Sequence, residues 1–269
     1  MKLVIDVENT VTKRDGRKYL DPYEPTNKLV MVGIRDDYKN TYIYDMEEGA
    51  SNIQEMLDKA TVLIGHNIAY DLMWLWECGF KYDGVIFDTM LTEYVLQRGI
   101  KEPLSLEACA ERHKLDTQKQ DTLKEYFAKG MGVDEIPKAE LKEYLSADLK
   151  ATQELCDLQY KKLLSKESAH LMNTVLLTNK VSMTLARIHR NGFKVDLTQL
   201  ASVKEEFEKE KQEIEERLNA QVRELMGDTP INLNSPEQMS WVIYSRKPKD
   251  KAMWANEFTP YMSKEDYRY

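Results

Sequence analysis

The chain has 269 residues, with 38 Lys or Arg against 46 Asp or Glu, so its formal net charge at pH 7 is −8. A pI of about 5.3 excludes proteins that hold nucleic acid through a broad basic surface, but not enzymes whose bound cations neutralise phosphate locally. No apolar run approaches the roughly 18 residues of a membrane span. The 3 cysteines have neither zinc-site nor disulfide spacing, so we expect a reducing, cytoplasmic location and no membrane partner.

The first part of the chain predicts an α/β domain that begins with strands. Residues 2–8 alternate as a strand, and residues 28–35 and 41–46 are rich in β-branched and aromatic side chains. These three segments predict a meander. Ser51 and Gln54 have the spacing of a capping box that opens a short helix.

Helices and short strands alternate after this meander. The next elements are predicted at residues 61–64 (strand), 69–78 (helix), 85–87 (strand) and 89–97 (helix). Asp88 is the expected N-cap of the last of these helices. A long helix with Pro137 in its first turn continues to about residue 164 and completes the domain.

The remaining sequence differs in pattern from the first domain. An amphipathic helix is predicted at residues 165–190 and a charged helix with a seven-residue apolar repeat at residues 196–226. Together they predict a projecting antiparallel helical hairpin. The sequence thus predicts a first domain at residues 1–164, the hairpin region at residues 165–245 and a basic, polar tail at residues 246–269.

Two carboxylates lie at the end of the first strand. Asp6 and Glu8 share one face about 7 Å apart along the strand, close enough to bind one divalent cation. Most such pairs merely form the solvent face of an edge strand. Residues 2–7, however, are mostly apolar on both faces, as in an interior strand, and a buried acid pair at the end of such a strand requires a compensating cation.

A second polar group, at residues 65–71, follows a buried strand and enters a helix. Strand ends that open into helix starts are where α/β proteins place ligands. Each member also has a simpler interpretation: Asn67 as a helix cap, Asp71 as a partner of the helix dipole and His66 as a packed imidazole.

The third group is Tyr144 and Asp148, whose spacing stacks phenol and carboxylate on one helix face. Alone, this pair is typical of an ordinary amphipathic boundary.

Taken together, the three groups resemble the three motifs of the DEDD 3′-5′ exonucleases, in the subgroup that carries a tyrosine. Residues 87–113 are similar to the segment between the second and third motifs in the proofreading domain of bacterial DNA polymerase I and its phage relatives. Residues 187–196 and 232–238 resemble the beginning and end of the thumb of family A DNA polymerases. The resemblance implies an RNase H-like mixed sheet flanked by helices, followed by the helical hairpin.

The family's chemistry would then use two divalent ions, Mg²⁺ or Mn²⁺. The resemblance implies that Asp6 bridges both ions, that Glu8 and Asp148 complete the site of the attacking water and that Asp71 holds the second ion. Tyr144 and Glu8 would orient the water. The residues expected to contact the terminal nucleotide are His66, Asn67, Asn9 and Thr10.

The implied substrate is a frayed or single-stranded 3′ end of DNA, and the implied partner is a polymerase palm and fingers region that this sequence lacks. Residues 11–25 are polar and basic, where the family often has an apolar residue that wedges the terminal base. Two other interpretations stay open. The fold could be a non-catalytic scaffold that docks a polymerase, or a free-standing RNA-processing exonuclease of the same superfamily.

Overall fold

A computed structural model describes residues 1–117, 122–227 and 231–244 of the chain. The chain divides into two compact units, Met1–Gly192 and Phe193–Tyr269. The predicted basic tail at residues 246–269 lies outside the described residues, so it stays a prediction.

A mixed sheet of five strands forms the centre of the first unit, with a separate two-stranded hairpin beside it. The strands are, in chain order, β1 (Lys2–Asn9), β2 (Thr12–Arg14), β3 (Arg17–Tyr19), β4 (Leu29–Asp36), β5 (Thr41–Asp45), β6 (Val62–Gly65) and β7 (Val85–Asp88). The main sheet has the order β5-β4-β1-β6-β7. β1 pairs antiparallel with β4 and parallel with β6, and β6 pairs parallel with β7. The predicted meander is therefore confirmed, with the hairpin β2–β3 inserted into it.

Helices cover both faces of this sheet. The helices of the first unit are, in chain order, α1 (Ile53–Lys59), α2 (Ile68–Glu77), α3 (Thr89–Leu96), α4 (Leu106–His113), α5 (Thr122–Ala128), α6 (Lys138–Leu163) and α7 (Met172–Asn191), and those of the second unit are α8 (Leu197–Met226) and α9 (Pro236–Tyr244). Leu3 and Ile5 of β1 pack in a core with α1 and α2, whereas Val4 packs in the opposite core with α6. Because both faces of β1 are covered, it is the interior strand that its sequence predicts.

Two local predictions fail for identifiable reasons. Asn52, not Ser51, occupies the N-cap of α1, and no side chain caps that helix. Gln54 instead exchanges two hydrogen bonds with the backbone of Lys81, 2.8 and 3.0 Å long. The helix predicted from residue 165 begins at Met172, because the Ser165 hydroxyl bonds the Lys162 carbonyl at the end of α6 and a turn and a short 3₁₀ helix follow.

Helix α7 packs against the sheet domain, on β7, α2 and α3. Its Met183 and Ala186 are buried in the same core as α2, and its Asn179 is 3% exposed. The compact first unit therefore ends at Gly192, later than the predicted boundary at residue 164. The pairing of α7 with α8 in a hairpin stays a prediction.

The second unit contains α8 and α9. The Asp196 carboxylate accepts hydrogen bonds from the backbone N–H groups of Thr198 and Gln199, which confirms it as the N-cap of α8. Val222 of α8 and Trp241 of α9 are buried. Within the described ranges, no helix of either unit is both long and apolar enough to cross a bilayer.

Candidate active site

The carboxyl ends of the parallel strands β1, β6 and β7 meet at one edge of the sheet. Asp6 and Glu8 lie on β1 and are half-buried, and the residues next to each of them along the strand are buried. A register shift separates Glu8 from Asn9, so the strand is irregular where the acids lie. This edge is where ligands bind in α/β proteins.

Helix α6 approaches this edge closely because β4 carries a glycine there. Gly33 is the cross-strand partner of Asp6. A Cβ atom at Gly33 would lie 2.7 Å from Leu149 Cδ1 and 2.8 Å from Leu145 Cγ. The missing side chain thus lets the turn of α6 that carries Tyr144 and Asp148 lie against the strand beside Asp6.

Tyr144 is surrounded by acids on this side of the sheet. Burial raises the pKa of Tyr144 far above its usual value, and the charges of Asp148, Glu8 and Asp6 and a hydrogen bond with Asp148 raise it further. The phenol therefore stays protonated at any physiological pH and acts as a hydrogen-bond donor. The predicted side chains of β1 and α6 are thus brought together.

Asp71 approaches the same strand from α2 and is only 3% exposed. Burial raises the pKa of Asp71 well above its usual range, and the charges of Asp6 and Asp88 raise it further. A hydrogen bond with the Val7 backbone lowers this pKa, but by less. An ionised carboxylate at this position is costly without a compensating positive charge. Its surroundings therefore fit a cation ligand.

The four acids supply oxygen donors of the kind that Mg²⁺ and Mn²⁺ prefer. Within the ranges 1–117, 122–227 and 231–244, no group of three or more His, Cys, Asp or Glu side chains is already arranged to hold an ion. A cation bound among the four acids would offset their mutual repulsion.

Asp88 is a site residue that the sequence predicts only in part. As predicted, its carboxylate accepts hydrogen bonds from the N–H groups of Met90 and Leu91 of α3. It also accepts hydrogen bonds, 3.2 and 3.1 Å long, from the N–H groups of Asn67 and Ile68 at the start of α2. Asp88 is 0% exposed, and burial raises its pKa. One carboxylate therefore caps two helices and fixes the helix that carries Asp71.

We expect Asp88→Ala to lower the free energy of unfolding by about 2–4 kcal/mol, because buried N–H groups of two helices lose their acceptor. Urea unfolding measures this loss. The matched control is Asp196→Ala, which removes the cap of α8 alone and should cost about 1 kcal/mol. A loss no larger than that of the control would contradict the double-capping role.

The residues predicted to contact the nucleotide fall into two kinds. The His66 ring nitrogens lie 2.9 Å from Thr89 Oγ1 and 2.8 Å from the Leu104 carbonyl oxygen. Asn67 has a left-handed backbone (φ 67°), makes no side-chain cap and is exposed. Its side chain is therefore free of the capping role that its position favours, while His66 is held against α3.

Asn9 and Thr10 form part of the framework beside the acids. Asn9 is buried, and its Oδ1 atom lies 2.8 Å from the hydroxyl of Tyr70, the residue before Asp71. The Asn9 amide donates to the Thr10 carbonyl, and the Thr10 hydroxyl accepts from the Lys28 N–H group. The Tyr70 contact joins the end of β1 to the start of α2, and the Lys28 contact joins it to the residue before β4.

A second buried polar cluster lies between α3, α4 and α6. Glu93 is 2% exposed and lies 3.0 Å from Arg112, 2.8 Å from His113 and 3.0 Å from Gln159. Gln159 also donates to the Thr89 carbonyl. Burial opposes ionisation of Glu93, but hydrogen bonds from Gln159, His113 and Arg112 outweigh it and lower the pKa.

This cluster predicts a pH dependence of stability. Because the folded pKa of Glu93 lies below its unfolded value of about 4.3, ionised Glu93 stabilises the fold above that pH. The stabilisation is lost as the pH falls through the folded pKa. We expect Glu93→Gln to flatten the acid side of a stability profile measured by urea unfolding from about pH 6 to pH 3. Glu111→Gln, an exposed position on α4, is the control, and equal profiles for the two variants would contradict the assignment.

Comparisons with known proteins agree with this geometry. A model of the 3′-5′ exonuclease family matches residues 17–166. DNA polymerase I of Aquifex aeolicus is 24% identical over 248 residues, 84% of this chain and 39% of that protein. DNA polymerase I of Helicobacter pylori is 32% identical over 122 residues, 45% of this chain and 13% of that protein. This chain thus spans well under half the length of either relative.

Solved structures show the same fold. The polymerase domain of Pol1 from M. smegmatis, in complex with DNA primer-template and dNTP, has a TM-score of 0.64 at 18% identity, over 93% of this chain and 38% of that one. NrnC of Brucella melitensis with bound Mg²⁺ has a TM-score of 0.53 at 18% identity, over 72% of this chain and 88% of that one. The predicted RNase H-like fold is thereby confirmed. Since the family model covers more than half of the sequence, the chain belongs to the metal-dependent 3′-5′ exonuclease family and contains the exonuclease domain found in homologues of DNA polymerase I.

Proposed function

We propose that this chain removes nucleotides one at a time from a single-stranded or frayed 3′ end of DNA, as the proofreading portion of a family A polymerase. One observation supports this most directly. The charge of Asp6 acts on both Asp71 of α2 and Tyr144 of α6, so acids from three separate elements share one edge of the sheet. A non-catalytic scaffold would have no reason to maintain this costly arrangement.

Asp6, Glu8, Asp71 and Asp148 are the proposed ligands of two Mg²⁺ or Mn²⁺ ions. When bound, such ions supply a hydroxide nucleophile at neutral pH and stabilise charge on the leaving 3′ oxygen. The protein contributes the oxygen donors and a buried setting. The raised pKa of Asp71 supports this proposal, because a nearby cation would offset the cost of its ionised form.

Tyr144 and Glu8 are the proposed groups that orient the attacking water. The Tyr144 phenol is buried and held in its protonated form by the charges of three acids. Its single O–H group donates to Asp148 in the structure, and we expect it to turn to the attacking water once Asp148 binds a cation, whereas the Glu8 carboxylate can only accept. A donor and an acceptor of this kind define the orientation of a water molecule between them.

The terminal nucleotide is proposed to contact Asn67, His66, Asn9 and Thr10. Support is strongest for Asn67, because it is exposed at the start of the helix that carries Asp71 and its side chain makes no cap. For Asn9 and Thr10, the network through Tyr70 supports a role in shaping the end of β1.

A polymerase palm and fingers region is the proposed partner, in the cytoplasm of a bacterium or a phage-infected cell. The relatives are DNA polymerases, which supports the partner. Apolar side chains of α8 are exposed, among them Leu200 and Phe207 at 54% and 63%, and such surface is typical of an interface. Cys78, Cys109 and Cys156 are all free thiols, which agrees with a reducing compartment.

The test is hydrolysis of single-stranded DNA and RNA of the same sequence, with Mg²⁺ and with excess EDTA. We expect release of deoxynucleoside monophosphates from DNA, none in EDTA and a slower reaction on RNA. Faster hydrolysis of RNA would favour the free-standing RNA-processing enzyme. Undiminished hydrolysis in EDTA would contradict the proposed metal ligands.

A further inference from the structure

The hairpin β2–β3 is a positively charged element on an acidic protein. Residues 12–19 contain four basic residues and one acid. Asp15 and Gly16 have positive φ angles of 52° and 72°, as a two-residue hairpin turn requires. All six residues from Lys13 to Lys18 are exposed.

The register of this hairpin places like charges opposite one another. Lys13 pairs with Lys18, and Arg14 pairs with Arg17. Directly opposed side chains lie about 5 Å apart at Cβ, and like charges in such pairs are destabilising. An isolated two-stranded hairpin is at best marginally stable. Two like-charge pairs lower its stability further, so they do not serve the folding of the hairpin itself. An anion bound between the cations would remove this repulsion.

Three of the four cations are available for a ligand. Arg14 lies 3.4 Å from Glu24 and stacks over the Tyr19 ring. Within the described ranges, Lys13, Arg17 and Lys18 form no ion pair.

The base of the hairpin is fixed in place by Asn27, which is 9% exposed. Its Oδ1 atom accepts hydrogen bonds from the Thr12 backbone N–H and hydroxyl groups, both 2.8 Å long, and its amide donates to the Tyr19 and Asp21 carbonyls. Both strands are therefore held at one end by a single buried side chain, while the charged turn extends into solvent.

The hairpin is also joined directly to the active site. The Tyr70 hydroxyl lies 2.8 Å from Asn9 Oδ1 and 2.8 Å from the carbonyl oxygen of Leu20, the residue after β3. Asn9 follows Glu8 in sequence, and Tyr70 precedes Asp71. Since Lys13 lies five positions after Glu8 in the sequence, their Cα atoms are at most about 18 Å apart. At the double-helical spacing of one phosphate per about 3.4 Å of strand, this distance covers at most about five nucleotides, and fewer along an extended single strand.

We propose that this hairpin binds the phosphate backbone of the substrate strand a few nucleotides from its 3′ end, through Lys13, Arg17 and Lys18. The proposal rests on the proposed nuclease function. It gives the basic segment at residues 11–25 a role in substrate binding, at the place where the family often has an apolar wedge.

The test compares a short and a long substrate. The variant is Lys13→Gln/Arg17→Gln/Lys18→Gln, and the control is Lys81→Gln/Lys101→Gln/Lys166→Gln, which removes the same charge from exposed positions elsewhere. For a 12-nucleotide oligo(dT), we expect the variant to have a KM about 10-fold higher than the wild type and an unchanged kcat. The slope of log KM against log salt concentration should fall by about 2, which is roughly 0.7 for each of the three lost phosphate contacts. For the dinucleotide pdTpdT, which has a single phosphate besides the scissile one, kcat/KM should change much less.

Two outcomes would decide against the proposal, each in a distinct way. Equal KM and salt slope for variant and control would overturn phosphate binding by the hairpin, and would leave an acidic protein segment as the alternative ligand. An equal loss on pdTpdT would mean that the hairpin acts on the reaction centre instead. If the wild-type protein hydrolyses neither substrate, the nuclease proposal fails, and the hairpin is then judged by fluorescence anisotropy of labelled oligo(dT) in EDTA, where the variant alone should lose affinity. The thermal midpoint of the variant should not fall, because its substitutions remove repulsion.

Discussion

The Asp6→Ala protein should hydrolyse single-stranded DNA at least about 10³-fold more slowly than the wild type, because it lacks the proposed ligand common to both ions. Asp6 is also the acid whose charge acts on both Asp71 and Tyr144, so its removal affects every part of the site. The thermal midpoint without metal should stay equal or rise, since a half-buried repulsive charge is removed.

Asp148→Ala should give a loss of the same order, whereas Asp134→Ala, an exposed acid outside the site, should leave the rate unchanged. Rates are measured under single-turnover conditions at saturating Mg²⁺. A purified, folded Asp6→Ala protein that keeps more than a tenth of the wild-type rate would rule out the proposed ligand set.

Tyr144→Phe should lower kcat by about 10- to 100-fold and leave metal binding intact, the scale of one positioning hydrogen bond. The hydroxyl is the only part of the side chain that is lost, and burial together with three neighbouring acids keeps it a donor. The matched control is Tyr126→Phe, because the Tyr126 hydroxyl donates to Glu140 outside the site, over 2.8 Å.

The rise in thermal midpoint with added Mg²⁺ separates the two functions of this site. Tyr144→Phe should keep the wild-type rise, because a phenol that orients water is no ligand. A variant that loses the Mg²⁺-dependent rise and the rate in parallel would make Tyr144 a determinant of metal binding instead.

Local sequence patterns predict most of the elements that surround the site. The apolar faces of residues 2–7 predict an interior strand, and the structure places β1 at the centre of the sheet. Asp88 before a helical segment predicts the N-cap of α3, which is confirmed. The spacing of Tyr144 and Asp148 fixes their shared helix face, because that relation depends only on helix geometry.

These local patterns do not predict contacts between residues that are far apart in the sequence. The capping of α2 by Asp88 joins residues about 20 positions apart, and the close approach of α6 depends on Gly33 in a distant strand. The predicted start of α7 is wrong because the amphipathic spacing continues backward through residues 165–171. These residues form a turn and a short 3₁₀ helix instead. The hairpin β2–β3, in contrast, had a local signal, the Asp15–Gly16 pair, which its polar composition obscured.

The most direct test of the account follows the direction of degradation on a single-stranded DNA 20-mer. One preparation carries a 5′ label and the other a 3′ label. With Mg²⁺, the 5′ label should appear in a ladder that shortens by one nucleotide at a time, and the 3′ label should be released at once as a mononucleotide. Asp6→Ala and excess EDTA should abolish both patterns. Early release of the 5′ label, or internal cuts in either preparation, would contradict a 3′-5′ exonuclease built on these four carboxylates.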